Sequence, residues 1–533
     1  MRGLRTCILS RLHVRALLLV FLLMFGELNQ AAHALESDLP LAGHSRFDEL
    51  VGNAPVPFPF ARLRKTIEAQ MRPDPGGLPT LKTTLIPLGR SLQRHAGAPN
   101  FFRFPRVVAA ADGINKPGYA PLQDRLFLGF HEKGEVIEVI SYNDAAGRFE
   151  FQVVRDYAPG KTPKLFYVRR SLCLSCHQNG GPIFARPLWD ETPANPEIAR
   201  RLRTARRDFY GLKPGGTDIA YFIDAAADHA NQFALWQTLW RDGSGTGGTG
   251  DAYRRDAFVA ALDYATAGTL PAADALPALS RNWAKQWPQG LAIASADLPN
   301  RDPFFPLTDP AHDPLRLRPP QAVWQAPDVT AFVVGLAGML DAALVERLRK
   351  FDPARRRAAL DRLHAHGGFA TQTFDAAPLR ALAAELGVAP AARIGRLPVA
   401  RTEPVSESTA ARQVFSRRCA ACHDTTLAHP PNFLHGPLEM VEPQIDRCAE
   451  RMYFRVSQRA LPEAARRVAP MPPPSALDMD THAWLASADY LAIRSDLAAR
   501  LKRQGRDPQA VLRQPYARLS ACPPATPYPE ERR

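Results

Sequence analysis

Two pentapeptides constrain this 533-residue chain more than any other feature: Cys173-Leu174-Ser175-Cys176-His177 and Cys419-Ala420-Ala421-Cys422-His423. In each, two thiols at i and i+3 share one side of a helical turn, and a histidine follows at once. The pattern suits covalent haem attachment. The thiols add to the two vinyl groups on one porphyrin edge, and the imidazole is held under the iron as its proximal ligand. Two C-x-x-C knuckles could instead hold zinc, and one could serve as a thioredoxin-like redox pair, but neither chemistry needs the histidine. With 14 His in the chain, recurrence of His at both positions by chance is about one in 1,400. Two haem c groups are therefore expected, bound by Cys173, Cys176, Cys419 and Cys422, with His177 and His423 as iron ligands.

Such attachment takes place outside the cytoplasm, and the N-terminus agrees. Arg2, Arg5, Arg11 and Arg15 are followed by an uncharged apolar run, Ala16 to Gly26. Its 11 residues are too few to cross a bilayer, which needs about 20. Ala32-His33-Ala34 then places small residues at both recognition positions of a cleavage site. Residues 1–34 read as a signal peptide, and the mature chain as periplasmic. Four Arg and one Glu leave with that segment, which lowers the formal charge from +14 to +11. The excess suits an acidic redox partner protein, with an anionic membrane surface as the second option. Nucleic acid is excluded as a partner by the compartment, and the oligomeric state is left open.

Residues 35–192 form a strand-rich region around the first motif. Residues 35–120 read as irregular and rich in proline. Arg125–His131, Glu135–Ser141, Arg148–Arg155 and Lys164–Arg169 then read as a meander of strands; Phe149, Phe151 and Val153 alternate with Glu150 and Gln152 in the period of a half-buried strand. Residues 193–400 read as helical. Helices are expected from Asn195-Pro196 to Gly211 and over Asp218–Trp240, Ala252–Thr266, Val329–Lys350, Ala354–His366 and Pro378–Leu386. A Gly-rich surface insert, 243–250, and a Pro-rich wrapping segment, 299–327, interrupt them. The pairs Trp236/Trp240 and Trp283/Trp287 fit either a core helix face or an electron relay.

The unit 401–533 resembles class I cytochrome c. Helix Ser408–Arg418, with Val414-Phe415, is similar to that family's N-terminal helix, and Thr481–Arg503, with Trp484, Tyr490 and Leu491, to its last. Pro431-Asn432-Phe433-Leu434 is similar to the segment whose carbonyl orients the proximal histidine, and Pro470-Met471-Pro472-Pro473 to the loop that delivers a distal methionine. Met471 is thus the expected second iron ligand there, with Met440 and Met452 as rivals. A thioether favours ferrous iron, and flanking prolines would hold its sulfur with little entropy left to lose. The expected fold class is mostly α with a strand-rich N-terminal region, ending in an all-α class I cytochrome c domain.

The first motif fits that pattern less well. Gly181-Pro182-Ile183 offers a carbonyl for His177, but no Met-Pro follows. Met339, His95, His131, His229, His312, His364 and His366 stay open as the sixth ligand, alongside a vacant position. The whole chain also resembles bacterial di-haem cytochrome c peroxidases and related oxygenases, in which an N-terminal haem does chemistry and a C-terminal one relays electrons. No catalytic residue carries over. The expected function is a periplasmic di-haem c-type cytochrome that transfers electrons. The alternatives are a peroxidase- or oxygenase-like oxidoreductase acting at haem 1, and a haem-bearing subunit of a respiratory complex. Whether the chain is an enzyme stays open. Cys448 and Cys522 are left over, and in an oxidising compartment they are expected to pair.

Overall fold

Six strands form one antiparallel sheet in chain order: β1 Leu81–Ile86, β2 Arg106–Ala111, β3 Leu126–His131, β4 Val136–Asn143, β5 Arg148–Arg155 and β6 Lys164–Tyr167. The last four are the expected meander. The first two lie in the stretch read as irregular. All six positions of β1 are buried, as are five of the six in β2, so neither strand shows a polar alternation in sequence. Glu150 and Gln152 of β5 are buried too. Ser45 Oγ donates to Gln152 Oε1 at 2.9 Å, and Gln152 Nε2 to Asp48 Oδ1 at 3.3 Å, because helix α1 (Arg46–Val51) lies over that face.

This is a computed structural model, and it describes residues 45–523 apart from 74–78, 117, 175, 187–189, 206, 213, 215–217, 245–249, 270–275, 294–295, 306–321, 376, 389–412, 425–429 and 473–479. The expected signal peptide lies outside the described residues. So do most of the Gly-rich insert, the middle of the Pro-rich segment and His312.

One face of the sheet, with Val107, Ala109, Leu128, Ile137 and Val154, packs against α1 and α2 (Phe60–Glu68). Helix α3 (Arg170–Leu174) follows β6 and carries Cys173. Helix α4 (Pro196–Thr204), capped by Asn195 as expected, adds Ile198 and Leu202 to the first face, and it ends at Ala205 rather than Gly211. The other face is divided. Val108, Ala110, Phe127, Tyr142 and Phe149 meet the first half of α5 (Asp218–Asp242) through Ala226, Ala227, Ala230 and Phe233. Val136, Phe151 and Val153 meet Val168 and Leu172 beside the first motif.

The 25 residues of α5 span about 37 Å, so its second half reaches a separate helical core. There Leu239 and Trp240 pack with α6 (Gly250–Ala267), α7 (Pro277–Gln286), α8 (Val329–Gly338), α9 (Ala342–Leu348), α10 (Pro353–Ala365) and α11 (Ala377–Glu385). The helix expected over Val329–Lys350 is broken, with α8 and α9 bent by 97°. Asp341 restarts it, accepting the Leu344 N–H at 2.9 Å. The last expected helix breaks likewise. Helices α12 (Gln413–His423), α13 (Leu438–Gln458), α14 (Thr481–Ala486), α15 (Ala488–Arg503) and α16 (Pro508–Arg513) surround the C-terminal core, and Ser487 caps α15 through the Tyr490 N–H at 3.1 Å.

The expected fold class is corrected by this architecture. The described residues are about 49% helix and 14% strand, a mixed α and β composition whose N-terminal half is organised by the sheet rather than a mostly α chain with strands appended. An all-α class I cytochrome c domain is not what closes it. The longest C-terminal element, the 21-residue α13, had no counterpart in the sequence reading, and Leu491, placed on the packed face of the last helix, is 55% exposed. The misreading came from β1, whose polar Lys82, Thr83 and Thr84 are consecutive and buried, and from β2, whose apolar run does not alternate.

Candidate functional site

Helix α3 begins where β6 ends, so the first motif is held at the sheet's edge. Cys173 O accepts the N–H groups of Cys176 at 3.1 Å and His177 at 2.9 Å, which winds the motif into one turn. His177 Nδ1 lies 2.8 Å from Gly181 O. A carbonyl only accepts, so Nδ1 carries the proton and Nε2 keeps its lone pair for a metal. The loop is tied from α5: Asn231 Nδ2 donates to Pro182 O at 3.0 Å, and Asn179 Nδ2 to the same oxygen at 2.9 Å. A Cβ at Gly181 would come within 2.9 Å of Asn231 Oδ1 and 3.3 Å of Phe149 Cδ2. Gly181→Ala is therefore expected to push the carbonyl away from His177 and to cost about 1–3 kcal/mol. An unchanged thermal midpoint would refute this.

Beside this motif lies a cavity open to solvent. Cys173, Cys176 and His177 line it together with the divided sheet face, Val108, Phe127, Ile140, Phe151 and Val153, and with Arg90, Arg106, Glu138 and Glu191. The charged residues were missed in sequence. Glu138 was legible, since it shares a strand face with Val136 and Ile140.

The second motif closes α12. His423 Nδ1 is 2.7 Å from Pro431 O, and Phe433 packs against the ring at 4.3 Å. Burial holds His423 down at about 4, with Arg455 adding to the effect against the Pro431 bond, so the imidazole is neutral and able to ligate. Burial pushes the Cys419 thiol up to about 12. A protonated, desolvated thiol is a poor nucleophile, whereas a neutral thioether suits that environment. Met471 is half-buried in the loop after α13, and its N–H donates to Arg455 O at 3.2 Å. Arg455 Nε holds Ala469 O at 2.9 Å, and Arg459 donates to Pro472 O. The arginine whose charge reaches His423 thus anchors the Met471 segment. Met440 and Met452 lie on α13 itself.

The two motifs meet. Helices α3 and α12 pack together, and Cys173 and Cys422 border the same apolar cluster, formed by Val136, Phe151, Val153, Val168 and Leu172. The four cysteines are not bridged to one another. Nor do they gather as a zinc cage: among the described residues, the one group of three or more ligand atoms within 4.8 Å of each other is Asp112, Asp124 and His229.

The other sequence candidates lie elsewhere. Among the described residues the cavity wall holds no histidine besides His177 and no methionine, so His95, His131, His229, His364, His366 and Met339 do not line it. Trp240 and Trp283 are buried in the helical core, and Trp236 packs on Trp324 at 5.3 Å and against Gly335, which assigns both pairs to the core. Cys448 and Cys522 form the expected disulfide. Comparison with known proteins adds nothing to this geometry: no family model, no curated protein and no solved structure matches the chain.

Proposed function

We propose that the mature chain is a periplasmic di-haem c-type cytochrome, passing electrons through haems attached at Cys173/Cys176 and Cys419/Cys422. One observation carries the reading: two motifs distant in sequence are packed against each other across one apolar patch. Haem c, when bound, supplies a one-electron iron couple. The chain's own residues do the rest. His177 and His423 present Nε2 because a carbonyl holds each Nδ1–H. The apolar side chains between the attachment points exclude water and lower the local dielectric. The net positive charge suits an acidic donor or acceptor protein.

Mass spectrometry of exported protein is expected to show two haem additions on a chain starting near Leu35. A colourless, zinc-loaded protein would sink the proposal.

One observation favours the second reading, an oxidoreductase acting at the first haem. The solvent-open cavity beside His177 offers no second His or Met among the described residues. Spin state separates the two: low spin at both haems at all potentials supports a carrier, and a high-spin first haem supports the enzyme.

A further inference from the structure

We propose that Asn231, midway along α5, is a positioning residue for the first iron. It sets how strongly the His177 imidazole donates, by holding in place the Gly181 carbonyl that Nδ1–H faces. This role rests on the di-haem reading above, and it brings to that site a residue from outside the motif and its loop.

Asparagine is a weak helix former, because its amide competes with the backbone for hydrogen bonds. Asn231 nonetheless stands inside α5, next to the row Ala226, Ala227, Ala230 and Phe233 that packs on the sheet. Its amide is fully engaged. Nδ2 donates one hydrogen to Ala227 O at 2.7 Å, one turn back, and the other to Pro182 O at 3.0 Å. Oδ1 accepts from Asn179 Nδ2 at 2.5 Å. These partners fix the orientation of the amide, since a flip would turn its oxygen toward two carbonyls, which cannot donate.

The loop after the motif receives that order. Pro182 O accepts from Asn231 and also from Asn179 Nδ2 at 2.9 Å, so two amides pin one carbonyl. The Gly181 and Pro182 carbonyls flank the proline, whose ring holds φ near about −65°. With one carbonyl pinned, the other has little freedom left, and Gly181 O is the one 2.8 Å from His177 Nδ1. Gly180 N–H donates to His177 O at 2.7 Å and closes the turn between them. Asn231 also packs on the residue it positions: a Cβ at Gly181 would lie 2.9 Å from Asn231 Oδ1.

Helix α5 is a firm base for this. Two residues beyond Asn231, Phe233 meets Tyr142 of the sheet at 4.4 Å. Farther along, Gln237 exchanges two bonds with the Phe374 backbone, Nε2 to O at 2.8 Å and N–H to Oε1 at 2.9 Å, and Trp240 Nε1 donates to Thr371 O at 3.2 Å. The amide of Asn231 is therefore fixed by the sheet on one side and by the helical core on the other. A carbonyl held against Nδ1–H makes the imidazole a stronger donor through Nε2, and a stronger donor favours ferric iron.

The test uses the full-length holoprotein and the midpoint potential of each haem. Asn231→Ala is expected to raise the first potential, increasing the ferrous-to-ferric ratio at the parent's midpoint about tenfold. The second potential should not move. Gln232→Ala, at the exposed neighbour on the same helix, should move neither. Gly181→Ala displaces the same carbonyl by pressing on Asn231 Oδ1. It should therefore shift the first potential in the parent, and by less than half as much in the Asn231→Ala background. Should Asn231→Ala fail to fold, Asn179→Ala carries the test, because it removes one of the two donors to Pro182 O and should raise the first potential as well. A first potential that is unchanged or lowered, an equal rise in Gln232→Ala, or a Gly181→Ala effect that is nil or independent of Asn231 overturns the positioning role while the di-haem reading stands. Absence of haem from the Cys173–Cys176 peptide of the parent protein overturns both.

Discussion

On the di-haem proposal, replacing Met471 by alanine is expected to abolish a methionine–iron charge-transfer band at the second motif and to lower the potential there. The fall should be on the order of 0.1–0.3 V, a part of the roughly 0.8 V over which axial ligands move haem potentials. The cause is loss of a soft, neutral ligand that prefers ferrous iron. The structure gives this substitution a narrow footprint. Met471 sits on a segment already tied to α13 through Arg455 O, through Arg455 Nε to Ala469 O, and through Arg459 to Pro472 O. None of these bonds uses the Met471 side chain, so the loop should keep its place. Redox titration with optical detection checks it. An unchanged band and potential would transfer the role to Met440, Met452 or a histidine.

Cys522→Ser is expected to cost roughly 4 kcal/mol of C-terminal stability, because the Cys448–Cys522 bridge closes a loop of 74 residues and restricts the unfolded chain accordingly. Cys448 is buried midway along α13, and the bridge pins the tail beyond α16 against that helix. The tail also bonds there through Arg451 Nη2 to Leu519 O at 3.2 Å and Ser520 N to Glu450 Oε2 at 2.7 Å. These two bonds contribute about 1 kcal/mol each, too little to replace the bridge. Denaturant unfolding followed by circular dichroism, with and without reductant, measures the difference. Equal midpoints for parent and variant under non-reducing conditions would refute it.

What the sequence determined by itself was local. The two C-x-x-C-H motifs, the four strands leading into the first of them and the helix starts at Asn195-Pro196 and Asp218 depend on spacing, period and capping within a few residues. The Gly181 and Pro431 carbonyls, four and eight residues after the histidines they face, were expected only through the resemblance to class I cytochrome c. Tertiary structure alone decided the rest. Strands β1 and β2 are buried on both faces, and such burial erases the alternation that would reveal them. The breaks at Asp341 and Ser487 follow from where the chain must turn to pack, since a continuous helix suited the residues equally well. Arg90, Glu191 and Arg301 became a group only when the segments near 90, 191 and 301 were folded together. Above all, the meeting of Cys173 with Cys422 depends on α3 packing on α12. A contact between residues so far apart is set by the shape of the apolar surfaces that close over it, and no local pattern encodes that shape.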